Sequence, residues 1–281
     1  MLCPTPVGNL ADITLRALAE LSSADLILAE DTRRTAVLLR HHGIAAAVAS
    51  LHDHNEDERS GGVIERLRRG QRIAVCSDAG TPLLADPGFR LVRAVLDAGL
   101  GVTALPGPSA LLPALTLSGL PIHRFAFLGF LPRPPAALRT ALAEGLALPM
   151  TVAWYESPLR LGRALEQLAD LGAGARRAAV ARELSKLHEE VARGTVAELA
   201  ERYGGNPPRG EVVLLVGPPD PVSAADAWQG AMADIRAARA AGESPSRAVA
   251  SAAGRWGVDR RALYAEACGR GDPPARLDGE P

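Results

Sequence analysis

Ser77-Asp78-Ala79-Gly80-Thr81-Pro82-Leu83-Leu84-Ala85-Asp86-Pro87-Gly88 brings two carboxylates, two hydroxyls and two glycines into one short run. The apolar stretch Ile73-Ala74-Val75-Cys76 precedes it and reads as a buried strand. Phe89 to Ala98 follows with apolar residues at helical spacing. A polar loop between a strand and a helix is where open α/β sheets place ligands. The run is neither GxGxxG nor a Walker loop, so it does not announce a dinucleotide or a nucleoside triphosphate. Alone, it reads equally well as an ordinary βα turn.

Other segments carry similar chemistry. Pro4-Thr5-Pro6-Val7-Gly8-Asn9-Leu10 opens the chain, and Gly8 permits close backbone approach. Ala29-Glu30-Asp31-Thr32-Arg33 ends an apolar run with charges. Leu51-His52-Asp53-His54-Asn55-Glu56 packs five polar side chains together. A His-x-His pair beside acids invites a metal, but metal sites draw ligands from more than one such segment. A solvent- or substrate-facing loop is therefore expected there, with no metal. Leu105-Pro106-Gly107-Pro108-Ser109-Ala110 is a second strand-to-helix turn that offers backbone N–H groups. Trp154-Tyr155-Glu156-Ser157-Pro158 is a third. Ala181 to Glu190 holds Lys186, the only lysine among 31 basic residues. Lysine differs from arginine where a point charge or tunable pKa is needed.

The elements that must position these residues alternate. Strands are expected at Leu26–Ala29, Ile73–Cys76 and Val102–Leu105. Helices fall near 13–21, 35–41, 63–69 and 89–98. This alternation predicts a largely parallel sheet covered by helices. Ser118-Gly119-Leu120-Pro121 reads as a linker. A second α/β unit follows, with strands at Phe125–Phe130, Thr151–Tyr155, Ala178–Ala181, Glu190–Arg193 and Glu211–Val216. Gly217 to Pro221 is a second linker. Three helix signals come after it, separated at Gly257 by a tight turn, which suggests a helix-turn-helix-like bundle. The expected division is 1–118 and 122–217 for two α/β domains, 223–270 for a small helical domain, and 271–281 for a frayed tail.

The 281 residues are 47% hydrophobic and carry a formal net charge of −1. That supports ample core. No stretch approaches the roughly 20 apolar residues of a membrane span, and with no basic-then-apolar opening no signal peptide is expected. Three dispersed cysteines fit a reducing cytoplasm. Aromatic residues are 4% of the chain, so no aromatic-rich platform for single strands is expected.

The ordered set PTPVGNLADIT, AEDTRRT, LHDHNE, SDAGTPLLADPG, PGPSA, GFLPR, YESPLRL, ARELSKLHEE and RGEVVLLV resembles the ribosomal RNA small subunit methyltransferase I family. That family is a branch of the tetrapyrrole-methylase (class III) superfamily. The resemblance runs from Cys3 to Gly217. It implies two α/β domains with a cofactor cleft between them and a homodimer. It also implies S-adenosyl-L-methionine-dependent 2′-O-methylation of a cytidine ribose in the decoding region of 16S rRNA, with the free 16S rRNA or the 30S subunit as partner. Members carry a fuller first strand; only Met1, Leu2 and Cys3 precede Pro4 here, so that strand is short or the start lies upstream. The alternatives are a methyltransferase acting on a tetrapyrrole carbon and a non-catalytic RNA-binding protein.

Matched by motif, the cofactor would be held by Pro6 and Gly8; by Ser77, Asp78, Ala79, Gly80, Thr81 and Pro82; by Pro106, Gly107, Pro108 and Ser109; and by Tyr155 and Glu156. A 2′-hydroxyl is a poor nucleophile, and a general base contributes about 10²–10⁴-fold. The catalytic candidates are Asp31, His54, Glu183 and Lys186. His54 titrates nearest neutrality and is the first choice as base. Lys186, beside acids that keep it protonated, suits a phosphate or ribose anchor. Asp86 is expected to cap the helix after Gly88. From Arg236 to Arg270, seven arginines stand against three acids, a surface suited to added phosphate contacts.

Overall fold

The computed structural model describes residues 1–52, 55–219 and 223–268. The chain forms two compact units, Met1–Pro219 and Asp220–Pro281.

The first unit holds two sheets. Strands β1 (Leu2–Cys3), β2 (Leu26–Ala29), β3 (Val48–Ser50) and β4 (Ile73–Cys76) form a parallel sheet in the order β1-β4-β2-β3. β4 is buried along its whole length, as a parallel strand covered on both faces should be. Its helices are α1 (Leu15–Ser22), α2 (Thr32–His41), α3 (Glu56–Arg68) and α4 (Phe89–Asp97). Thr14 starts α1 by accepting the Ala17 N–H at 3.0 Å, which satisfies one orphan donor of the first turn.

Three expectations change here. β3 was not foreseen, because Val48-Ala49-Ser50 is too short and mixed to signal a strand. The strand expected at Val102–Leu105 reduces to one bridge between Ala104 and Leu2. Helix α3 begins at Glu56, inside the polar run and before its first apolar residue. Glu56 is 2% exposed, and its carboxylate accepts the Leu91 N–H at 2.7 Å.

Helix α5 (Leu111–Ser118) is the crossing element. The second sheet comprises β5 (Phe125–Phe130), β6 (Thr151–Glu156), β7 (Arg177–Arg182), β8 (Glu190–Thr195) and β9 (Val212–Val216). Its order is β5-β6-β9-β7-β8; only β5 and β6 run parallel. Leu111, Ala114 and Leu115 of α5 pack on Ala153, Ala179, Ala181, Val213 and Leu215 of this sheet. Small residues on the strands let the helix approach closely. The chain therefore passes from the first sheet to the second ahead of α5, near Pro106–Ala110, and not at the expected linker 118–121. The opposite face of the sheet packs against α6 (Pro135–Leu146), α7 (Pro158–Leu168) and α8 (Val196–Gly204). Thr195 and Glu198 close α8 with a reciprocal capping box.

In the second unit, α9 (Ala224–Ala240), α10 (Pro245–Trp256) and α11 (Arg260–Ala267) enclose Ala231, Ile235, Ala248, Val249, Ala252 and Leu263. Trp256 donates its indole N–H to Asp234 at 2.9 Å, and Trp228 donates to Glu266 at 2.9 Å. Asp259 caps α11 after a short turn. Among the described residues no helix is long and apolar enough to cross a membrane.

Candidate active site

The first unit contains a cleft of about 770 Å³, within the usual range for small-molecule sites. One wall is the loop after β4. Thr5 and Gly80 exchange backbone hydrogen bonds at 2.9 and 2.8 Å. Ser77, 3% exposed, donates to the Gly80 carbonyl at 3.0 Å, and Thr5 donates its hydroxyl to the Ser77 carbonyl at 3.0 Å. These bonds fix the loop from beneath. Asp78, Ala79, Gly80 and Thr81 then line the cleft. Asp78 accepts the Asp31 N–H at 2.8 Å and pairs with Arg34 at 3.5 Å.

The other wall comes from the second sheet. Tyr155, Glu156, Ala181, Leu184, Glu211, Val212 and Val213 line it. The Tyr155 ring packs against Phe127 and Phe130, with centroids 4.8 and 5.3 Å away. Glu156 has a fully buried side chain. Its Oε1 accepts the Ser157 N–H and pairs with Arg160, while its Oε2 has no partner. Burial pushes its carboxyl above the ordinary range. The crossover segment ties the two walls together. Thr81 donates to the Pro108 carbonyl at 3.0 Å, and Ser109 stands beside the Tyr155 hydroxyl.

Of the residues matched for cofactor binding, six line the cleft: Asp78, Ala79, Gly80, Thr81, Tyr155 and Glu156. Ser77, Pro108 and Ser109 sit behind the lining and hold it. Pro6, Gly8, Pro82, Pro106 and Gly107 are outside the lining. A Cβ on Gly107 would fall 2.7 Å from Pro4 Cβ, and one on Gly8 would fall 2.5 Å from Lys186 Cγ. The close approach that Gly8 permits is therefore to the chain itself.

Asp31 caps α2 and pairs with Arg33 at 2.8 Å, and this pairing holds its carboxyl down at about 2. Glu183 accepts from Lys186 at 2.8 Å, and Lys186 also lies 3.6 Å from Glu211. Lys186 holds the Glu183 carboxyl below its ordinary range. His54 lies outside the described residues.

Asp86 corrects an expectation. The residue capping α4 is Gly88, with no side-chain cap. Asp86 faces the cleft. Leu83 (φ +71°) and Ala85 (φ +68°) hold left-handed backbone just ahead of it, a costly arrangement typical of functional loops. Burial first, then the nearby Glu30 and Asp78 charges, raise its carboxyl to about 7. Sequence reasoning also missed Glu30, Arg34, Phe130, Arg133, Arg160 and Glu211 as cleft residues. All of them lie within the motifs AEDTRRT, GFLPR, YESPLRL and RGEVVLLV, which were the available signal. Among the described residues, no three metal-ligating side chains gather in one place.

The family described as Tetrapyrrole (Corrin/Porphyrin) Methylases matches residues 2–200. A ribosomal RNA small subunit methyltransferase I from Mesorhizobium japonicum is 44% identical over 265 residues, 94% of this chain and 89% of its own. The chain belongs to the ribosomal RNA small subunit methyltransferase I family of tetrapyrrole methylases. A family member from Escherichia coli O157:H7 is 47% identical over 215 residues, 76% of this chain and 75% of its own. Two solved structures share the tetrapyrrole-methylase fold. Diphthine synthase has a TM-score of 0.60 at 16% identity and covers 77% of this chain and 88% of its own. Uroporphyrin-III C-methyltransferase from Thermus thermophilus, complexed with S-adenosyl homocysteine, has a TM-score of 0.54 at 21% identity and covers 76% and 95%.

Proposed function

We propose that this chain is an S-adenosylmethionine-dependent methyltransferase of ribosomal RNA, acting on the 2′-hydroxyl of a cytidine ribose in the decoding region of 16S rRNA. One observation carries the reading. In a chain of this family, Asp78–Thr81 and Tyr155–Glu156 meet across a single cleft. The names of the relatives support RNA as the substrate. Homodimerisation, a cytoplasmic location, and a division into domains 1–118, 122–217 and 223–270 belong to the same reading, with the first boundary moved to the crossover before α5.

The residues present fit the cofactor. Glu30, Asp78 and Asp86 offer hydrogen-bond acceptors along the cleft, and Arg133 and Arg160 stand among them as cationic partners for a carboxylate. Glu156 Oε2 is a buried acceptor that lacks a donor. When bound, S-adenosylmethionine supplies an electrophilic methyl group on a sulfonium. The chain's own task is mainly to position the ribose, which can be worth about 7–11 kcal/mol.

A proton acceptor must also be supplied. Asp31 and Glu183 are weak bases because their cationic partners stabilise the ionised forms. His54 stays the candidate named by the sequence, and Asp86, near neutrality and facing the cleft, joins it. Lys186, held charged by Glu183 and Glu211, suits an anchor for ribose or phosphate. The test is incubation with labelled S-adenosylmethionine and 30S subunits, naked 16S rRNA or a corrinoid precursor. The expected product is 2′-O-methylcytidine in the RNA. Label in the corrinoid alone would refute the reading.

A further inference from the structure

A second cavity of about 460 Å³ lies beside the cleft, lined by Arg182, His188, Arg202, Tyr203, Asn206 and Arg209, with Glu183 and Glu190. Nothing in the reaction chemistry above uses it. Its construction is specific. Glu190 pairs with Arg182 (2.6 Å) and with Arg202. The Arg202 guanidinium sits 5.3 Å from the centre of the Tyr203 ring. Arg182 donates to the Arg209 carbonyl at 3.5 Å. Among the described residues, no carboxylate pairs with the exposed Arg209 guanidinium. Glu183 is already neutralised by Lys186. The cavity thus holds three guanidiniums against one acid that is free to oppose them. Tyr203 is 6% exposed, and its hydroxyl is buried without a hydrogen-bond partner. A buried unpaired hydroxyl is costly unless something completes it.

The partition between cavity and cleft is thin. Arg209 faces the cavity, while Gly210 and Glu211, the next two residues, line the cleft. Gly210 has φ +86°, and a Cβ there would overlap the Glu183 carboxylate. Glu183 itself holds φ +50°. Two residues of chain span at most about 7 Å, a reach comparable to one nucleotide of an extended strand.

We infer that this cavity is a subsite for a backbone phosphate of the RNA substrate, bound by Arg209 and Arg202 with the Tyr203 hydroxyl, one nucleotide from the ribose in the cleft. The inference rests on the proposed RNA methyltransferase activity. Guanidiniums match phosphate geometry, whereas a lone ammonium supplies only charge. Burial keeps the Tyr203 hydroxyl protonated, and therefore available as a donor.

The test is equilibrium binding of 30S subunits by the full-length chain across a salt series, with S-adenosylmethionine binding measured in parallel. Wild type is compared with Arg209→Ala, Tyr203→Phe and a control, Arg16→Ala. Arg209→Ala should weaken RNA binding several-fold and reduce the log–log salt slope by about 0.7–0.9, the loss of one phosphate contact. Tyr203→Phe should weaken binding while leaving the slope in place. Cofactor binding should be unchanged in all of them. An unaltered slope and affinity for Arg209→Ala, with wild type active on 30S, overturns the subsite. Wild type that transfers no methyl to RNA overturns the functional reading instead. Inorganic phosphate is the remaining arm. If it binds in an Arg209-dependent way while RNA binding ignores Arg209, the cavity serves a free anion and the RNA assignment fails.

Discussion

Gly8 lies against the stem of Lys186, so close that a Cβ on Gly8 would sit 2.5 Å from Lys186 Cγ and 2.7 Å from the Leu184 carbonyl oxygen. The first motif of the chain and its only lysine are one packed contact. Gly8→Ala should destabilise the protein by about 1–3 kcal/mol, the usual cost of overpacking. Adding Lys186→Ala should recover only part of this, because the Leu184 carbonyl stays in place. A double-mutant cycle by denaturant unfolding measures the coupling.

Asp86→Asn should act on rate and stability in opposite directions. The folded-state carboxyl, near 7, lies above its ordinary 3.8. Between about pH 4 and pH 7 the unfolded chain releases a proton that the fold keeps, so this group lowers stability as pH rises. The Asn variant should therefore match wild type near pH 4. At pH 8 it should be more stable, by about 1–2 kcal/mol after solvent screening of a half-buried group. If Asp86 takes the 2′-hydroxyl proton, wild-type methylation should rise with pH through about 7. The variant should lose that limb and about 10²–10⁴ in rate. Thermal unfolding and single-turnover methylation at several pH values check both.

His54→Ala separates the two acceptors. A rate and pH profile equal to wild type on 30S subunits would remove His54 from the chemistry.

Thr195→Ala should cost about 1 kcal/mol. It breaks the capping box at the start of α8, where Thr195 accepts the Glu198 N–H at 3.2 Å and Glu198 accepts the Thr195 N–H at 2.7 Å. Glu198→Gln, which keeps an acceptor at that position, should cost less. Thermal melts of both variants read the difference.

Deleting residues 222–281 should weaken 30S binding and flatten its salt dependence, because it removes a segment rich in arginine. An unchanged slope would mean that the helical unit makes no phosphate contacts.

The parts legible in the sequence were those that local pattern dictates. β2 and β4 are short apolar runs ended by charged loops, and their limits match the expectation residue for residue. The wall Asp78–Thr81 was legible because its motif bundles turn residues with polar side chains. The rest depended on contacts across the fold. Asp86 looked like a cap because Asp is a common cap and it stands just ahead of the helix; in the fold Gly88 takes the cap position, and Asp86 lines the cleft after the left-handed residues Leu83 and Ala85. Asp31 looked like a base until Arg33 and the α2 amide claimed it. The aromatic group Phe127, Phe130 and Tyr155 was invisible in a composition poor in aromatics, because three of its few rings converge from two strands.

The placement of α5 bears on how this protein can be taken apart. A fragment starting after Pro121 would keep all five strands of its sheet and lose the helix that covers one face. Ala153, Ala179, Ala181, Val213 and Leu215 would be laid bare. The complementary fragment would carry an apolar helix with nothing to cover. The two halves are thus not interchangeable modules cut at a linker. Any graft, split reporter or chimera should place its joint near Pro106–Ser109, upstream of α5, so that the helix travels with the strands it shields.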